Sequence, residues 1–218
     1  MIRVKEVFPT LQGEGSLTGS PAVFVRLSGC NLWSGIEADR DKGRGDCAGW
    51  CDTDFAGGES YSPARLVEMV REYSDAWVDP LVVVTGGEPM LQLRKPAGQE
   101  FAELMSRYAR IAIETNGTIA VPSEVAVRLS HITVSPKPLR GRSGSTEHIK
   151  QRSGQDLKVV IPTPFDLKEL DSWAFKHRFV QPCDIGDNGK SNLGEVIHFA
   201  RALGWRVSLQ THKLAGLP

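Results

Sequence analysis

The stretch L-V-V-V-T-G-G-E-P, residues 81–89, decides the reading of the fold. Leu81 to Val84 form an aliphatic run bounded by turn chemistry, which predicts a strand over 81–85. Gly86 and Gly87 follow at once, where a strand ends. Glycines at that position let a backbone approach a ligand closely. A plain βα turn needs the same pair, so these two residues leave both readings open.

Outward from this run the pattern repeats. Further strands are predicted over 2–8, 22–28, 110–114, 131–135, 157–161, 178–181 and 206–210, and helices over 63–73, 98–108, 166–177 and 191–203. The first helix has clear start signals, Ser62 as N-cap and Pro63 at the first helical position, and its Leu66, Val67 and Val70 share one face. Strands alternating with helices predict an α/β fold with a mainly parallel sheet. The helices are fewer than the strands, and 218 residues is short of the roughly 250 of a complete eight-fold barrel. A partial, open βα barrel is therefore expected, with a flat doubly wound sheet as the alternative. No internal repeat or linker divides residues 1–218, which read as one domain.

Two long irregular segments interrupt the plan: 29–61, rich in Gly and Asp, and 136–156, which contains K-P-L-R-G-R-S-G-S. Loops of this length inside a compact domain are usually functional or mobile. The first holds Cys30, Cys47 and Cys51, spaced x16 and x3. Three thiolates on one loop can hold three irons of a cubane and leave the fourth iron open, whereas electron-transfer clusters usually take four. A structural zinc site wants four ligands. No histidine precedes His131, so Asp52, Asp54 or the distant Cys183 would have to complete one. Unconnected free cysteines are the third reading.

Lys plus Arg and Asp plus Glu number 26 each, so no global charge marks a nucleic-acid binder, although a local basic patch remains compatible. No apolar run approaches the roughly 18 to 20 residues of a membrane span. The opening M-I-R-V-K-E-V-F alternates like a strand and not like a signal peptide. A cytoplasmic protein is expected, and clustered cysteines without a leader suit a metal or redox site better than disulfides.

Nine ordered stretches carry a resemblance over nearly the whole chain: T-L-Q-G-E-G (10–15), R-L-S-G-C-N-L-W-S-G (26–35), W-C-D-T-D-F (50–55), T-G-G-E-P (85–89), I-E-T-N-G-T (113–118), S-P-K (135–137), L-K-V-V-I-P (157–162), Q-P-C-D (181–184) and Q-T-H-K (210–213). With these the chain resembles the 7-carboxy-7-deazaguanine synthase family of radical S-adenosylmethionine enzymes. The family's last cysteine gap is normally x2. Here it is x3 (A-G-W), so the loop must bulge near Ala48 and Gly49.

The resemblance implies a [4Fe–4S] cluster on Cys30, Cys47 and Cys51, whose open iron binds S-adenosylmethionine. One electron then yields a 5′-deoxyadenosyl radical that takes a hydrogen from substrate. By the same resemblance Trp50, Cys51, Asp52, Gly87, Ser135, Pro136, Lys137, Gln181, Pro182, Cys183 and Asp184 bind the cofactor, Cys183 as a small hydrophobe. Leu11, Gln12, Gly13, Glu14, Arg26, Thr85, Glu114, His212 and Pro218 bind substrate, with Lys213 within reach, and Thr53 ligates Mg²⁺. The implied reaction converts 6-carboxy-5,6,7,8-tetrahydropterin to 7-carboxy-7-deazaguanine with loss of ammonia, for queuosine and related deazapurines. A reductase or flavodoxin-type electron donor and a homodimer are implied, and no nucleic-acid or membrane partner.

Arg26 has a physical argument beside the resemblance. It lies between Val25 and Leu27 in an apolar strand, and a buried guanidinium is costly unless an anion pairs with it. A substrate carboxylate suits a bidentate arginine. The competing readings are a strand-edge arginine in solvent and, for Glu114, a structural ion pair. Two other functions share some of the motifs. A glycyl-radical activase needs the cluster and T-G-G-E-P but not L-Q-G-E-G, and a zinc-stabilised binding module needs neither iron nor sulfide.

Overall fold

The computed structural model describes residues 1–36, 39, 47–48, 51–142 and 144–218. In chain order the elements are β1 (Ile2–Leu11), β2 (Pro21–Leu27), β3 (Glu59–Tyr61), α1 (Pro63–Ser74), β4 (Leu81–Gly86), α2 (Met90–Leu93), α3 (Pro96–Ser106), β5 (Arg110–Thr115), α4 (Ser123–Ala126), β6 (His131–Val134), β7 (Ser153–Ile161), α5 (Leu167–Asp171), β8 (Ala174–Pro182), α6 (Leu193–Leu203), β9 (Arg206–Val207) and α7 (Thr211–Leu214).

One nine-stranded sheet runs β3-β1-β2-β4-β5-β6-β7-β8-β9 and does not close on itself. From β2 to β9 every neighbour is parallel, while β1 lies antiparallel between β2 and β3. This is the open βα barrel, and the flat alternative is set aside. The strand alternation sorts side chains to two faces. Outward residues such as Val23, Val25, Val82, Val84, Ile111 and Ile113 pack with Leu66 and Val70 of α1 and Phe101 and Met105 of α3. A second cluster places Leu157, Val159 and Val180 against Leu167 and Leu170 of α5 and Val196 of α6. Inward, a small apolar group of Ala22, Leu81, Val83 and Ala112 packs with Leu17 and Phe24. The next inward positions along the same strands are Arg26, Thr85 and Glu114. The inner face thus turns polar toward the C-terminal ends of the parallel strands.

The first helix forms as its signals predict, with Ser62 Oγ accepting from the Arg65 amide at 3.2 Å. The predicted helix over 166–177 is corrected. It stops at Asp171, and Ala174 onward is strand, pairing Ser153–Ala174 and Gly154–Phe175 with β7. Asp166 caps the short helix through the Lys168 amide at 2.9 Å, and Leu167 and Leu170 bury its one apolar turn. Phe175, His177 and Phe179 then alternate with Lys176 and Arg178, a period of two that overrides the helix. The strand predicted over 206–210 ends at Val207, and the chain turns at Gln210 into α7. Strand β3 and helices α2, α4 and α7 lie outside the predicted elements. No helix among the described residues is long and apolar enough to cross a membrane.

Candidate active site

The residues named from sequence converge at the C-terminal ends of β2, β4, β5, β6, β7 and β8. There they line one cavity of about 490 Å³, within the size range of small-molecule sites. Leu11, Gln12, Glu14, Arg26, Cys51, Asp52, Thr53, Thr85, Gly87, Glu114, Ser135, Lys137, Gln181, Pro182, Cys183, Asp184, His212 and Pro218 all line it. Gly13, Cys30, Cys47 and Pro136 are not among its lining residues. Trp50 and Gly49, and with them most of the predicted bulge, fall outside the described residues.

The start of the cysteine loop is locked to the ends of β4 and β5. The Glu88 amide donates to the Gly29 carbonyl at 2.9 Å. A Cβ on Gly87 would stand 2.3 Å from that carbonyl oxygen and 2.7 Å from Cys30 Cβ, so only glycine fits. Gly86 has φ +132°, and a Cβ there would lie 2.0 Å from the Leu27 carbonyl oxygen. Asn31 donates to Thr118 Oγ1 at 2.8 Å and accepts from Asn116 Nδ2 at 3.1 Å, tying the loop to I-E-T-N-G-T. The buried Glu88 carboxylate accepts from the Met90 and Asn116 amides and the Thr115 hydroxyl. Burial pushes its carboxyl up, and these donors oppose the shift. Asn31, Glu88, Asn116 and Thr118 were not singled out from sequence as site residues, although each lies in or beside a quoted motif.

Cys47 returns to the same place. Its amide donates to the Leu32 carbonyl at 3.0 Å, and it forms a bridge with Leu139. The basic segment after Lys137 therefore packs on the cysteine loop. None of the three cysteines is in a disulfide among the described residues, and all are half-buried. Burial pushes the Cys30 and Cys51 thiols up, which disfavours the bare thiolate, and a bound metal would offset that. No three His, Cys, Asp or Glu side chains among the described residues converge on a single metal ion. Cys51 lines the cavity and Cys30 stands beside Gly87 at its edge; three thiols on one loop suit a cluster with one iron per cysteine and an open fourth corner.

The floor is a polar network that spans the barrel. Gln12 Nε2 donates to Glu114 at 3.0 Å and Thr85 Oγ1 donates to its other oxygen at 3.2 Å. Burial pushes the Glu114 carboxyl up, and these two donors oppose that. Glu14 accepts from Gln181 Nε2 at 3.1 Å and Gln210 Nε2 at 2.8 Å, and its other oxygen pairs with Lys158. Lys158 is 5% exposed. Burial pushes its ammonium down to about 7, while the Glu14 carboxylate works in the opposite direction. Lys158 was not named from sequence as a site residue. Its signal is the one used for Arg26, a cation inside an apolar strand.

Arg26 has an anion supplied by the chain itself. Its Nε donates to Glu6 Oε1 at 2.6 Å, directly across the β1–β2 pairing, and its guanidinium lies over Phe8 at 5.7 Å. Thr53 Oγ1 donates to Asp52 Oδ1 at 3.4 Å, and Asp54 pairs with Lys5 at 2.7 Å. Ser135 Oγ accepts from Lys137 Nζ at 2.8 Å.

The C-terminal segment closes one side. Thr211 donates through N and Oγ1 to the Gly13 carbonyl, and Thr10 Oγ1 donates to the Pro218 carbonyl at 3.0 Å. A Cβ on Gly13 would sit 1.9 Å from His212 Nδ1, a buried nitrogen without a hydrogen-bond partner among the described residues. Lys213 Nζ bridges Asp52 at 2.6 Å and Asp184 at 2.7 Å. Lys213 holds the Asp184 carboxyl below its ordinary range. At Asp52 burial pushes up, and the Lys213 contact more than offsets it. Both carboxyls titrate lower in the folded chain than in the unfolded one. Their contribution is therefore intact above the ordinary carboxylate value of about 4 and is lost as pH falls through and below it. Amide exchange in α7, corrected for intrinsic rates, should accelerate more than that of β4 between about pH 6 and about pH 3. Equal factors in the two elements would remove Lys213 as the tie.

An unclosed βα barrel with T-G-G-E-P at one strand end, beside a loop carrying three cysteines, defines a radical S-adenosylmethionine enzyme. No family model matches the chain. It is 40% identical over 223 residues to the 7-carboxy-7-deazaguanine synthase of Caulobacter vibrioides, covering 99% of this chain and 98% of that one. It is 38% identical to the enzyme of the same name from Bradyrhizobium diazoefficiens, covering 98% of each. The fold matches the crystal structure of QueE from Escherichia coli with a TM-score of 0.66 at 25% identity, over 96% of this chain and 93% of that one. The chain belongs to the 7-carboxy-7-deazaguanine synthase family.

Proposed function

We propose that this pocket converts 6-carboxy-5,6,7,8-tetrahydropterin to 7-carboxy-7-deazaguanine with loss of ammonia, as a carbon–nitrogen lyase. One observation carries the reading. A cation, Arg26, and a hydrogen-bonding edge built from Glu114, Gln12 and Thr85 line the same cavity as Cys51 and Gly87. A carboxylated pterin needs both features, one for its carboxylate and one for its amino-pyrimidine edge.

Cys30, Cys47 and Cys51 hold the [4Fe–4S] cluster. Gly87, Ser135–Lys137, Gln181–Asp184, Cys51, Asp52 and Trp50 bind S-adenosylmethionine. When bound, cluster and cosubstrate supply a one-electron cleavage that generates a carbon radical able to take a hydrogen atom from substrate. The chain's own residues hold and orient. Arg26 takes the substrate carboxylate, Glu114 the pterin edge, and Leu11–Glu14 with His212 and Pro218 close the pocket against water. Thr53 offers a hydroxyl to Mg²⁺, a hard cation that keeps several waters. A flavodoxin-type reductant, a homodimer and a cytoplasmic setting complete the proposal.

Anaerobic turnover tests it. The reconstituted, reduced protein with S-adenosylmethionine and the carboxylated tetrahydropterin should yield 7-carboxy-7-deazaguanine, with a dependence on Mg²⁺. Cleavage of S-adenosylmethionine without that product would assign the chain to a different radical reaction. Arg26→Ala should raise substrate KM at least about tenfold, the loss of roughly 1.4 kcal/mol from one charge-assisted contact, with the cluster spectrum intact. An unchanged KM would reject the carboxylate contact.

A further inference from the structure

Strand β1 carries an irregularity where it passes Arg26. Its register on β2 runs Val4↔Leu27 and then Glu6↔Arg26, so two steps on β1 oppose one on β2. Such a bulge puts consecutive side chains on one face of a strand that would otherwise alternate, and bulges often re-aim a side chain beside a site. Here Lys5 and Glu6 both line the cavity. Lys5 reaches the end of the cysteine loop, bonding Asp54 at 2.7 Å and the Ala56 carbonyl at 3.0 Å. Glu6 reaches Arg26 Nε at 2.6 Å.

We infer that Glu6 is a positioning residue that sets specificity for a carboxylated substrate by fixing the Arg26 fork. This rests on the pocket reading above and adds a residue to it. A guanidinium offers two donor edges, and Glu6 occupies the Nε side. The Nη1–Nη2 pair bonds to nothing among the described residues, which leaves a bidentate edge for a second carboxylate. The Phe8 ring lies beneath the guanidinium, with its centroid 5.7 Å from Arg26 Cζ, and Phe24 stacks on Phe8 with centroids 5.6 Å apart. Arg26 is 20% exposed and Glu6 46%. A free arginine at this depth would sample several rotamers. One held at Nε and seated over a ring loses less freedom when its ligand arrives. The competing role for the same contact has Glu6 imitate the substrate carboxylate, so that it must be displaced. The two roles predict opposite signs.

The test reads binding as well as turnover. Fluorescence titration of the reconstituted protein with 6-carboxypterin and with pterin gives a selectivity ratio for the carboxylate. In Glu6→Ala that ratio should fall at least about fivefold through weaker 6-carboxypterin binding, a fraction of a charge-assisted contact, while pterin affinity and the cluster spectrum stay as in the wild type. Glu6→Gln keeps an acceptor oxygen and should lose less. With the natural substrate KM should rise in Glu6→Ala and kcat at saturation should hold. A ratio that does not move, or tighter 6-carboxypterin binding in Glu6→Ala, overturns the positioning role while leaving the pocket reading in place. A wild type that binds neither pterin sinks both.

Discussion

Replacing Cys30 with alanine is expected to abolish turnover entirely while leaving a folded chain. Cys30 is half-buried at the junction of the cysteine loop and the T-G-G-E-P turn, and it belongs to none of the three apolar clusters. Removing its sulfur therefore deletes no core packing. The ties that hold the junction belong to Gly29, Asn31, Glu88 and Asn116 and survive the change. What disappears is one of three thiolates, and two cannot hold a cubane with a single open corner. Bound iron and sulfide should fall to a small fraction of stoichiometric, the brown colour should vanish, and far-ultraviolet dichroism should match the wild type. A brown Cys30→Ala protein that still makes product would move the cluster off these cysteines. The same measurement separates the cluster from the zinc module, since the module predicts tight zinc in a colourless wild type.

The sequence was most legible where a residue type is chemically irreplaceable. Three cysteines in one loop, the Gly-Gly after β4, and a cation between Val25 and Leu27 each admitted few roles, and the structure puts Cys51, Gly86, Gly87 and Arg26 on one cavity, with Cys30 beside Gly87. Strands were found wherever an aliphatic run stood against clear turns, as at β4 and β5. Reading failed where local pattern and long-range pairing compete. Residues 174–177 follow a capped helical turn and look like its continuation, yet they complete a strand whose partner, β7, lies some twenty residues earlier. Helix α7 is one turn long and held by contacts to Gly13, Asp52 and Asp184, none of them near in sequence. The β1 bulge is invisible without the β2 register. Lys158 was passed over because L-K-V-V-I-P was read as a motif, although a lysine in that run raises the same question of a partner that Arg26 raised.

That question leads to the second large effect, at the pocket floor. Lys158→Met leaves the Glu14 carboxylate buried without its cation, and breaking a buried pair from one side typically costs 3–5 kcal/mol. The expected loss is about 3 kcal/mol, the low end, because Gln181 and Gln210 still donate to Glu14. For a chain of this length that lowers the anaerobic thermal midpoint by roughly 6–12 °C. The double variant Glu14→Gln/Lys158→Met removes both charges and should recover most of the loss, since a well-packed neutral pair is often as stable as a buried ionic one. A stable protein could therefore do without the pair, and its presence must answer to the cavity. Glu14 gathers Lys158 from β7, Gln181 from β8 and Gln210 from the turn before α7 onto one carboxylate, which joins the open edge of the barrel to its C-terminal cover. The stability-restored double variant should consequently still fail to turn over, with substrate affinity weakened and cluster content normal. A single variant as stable as the wild type would mean that water reaches the pair. A double variant with full activity would reduce the network to scaffold.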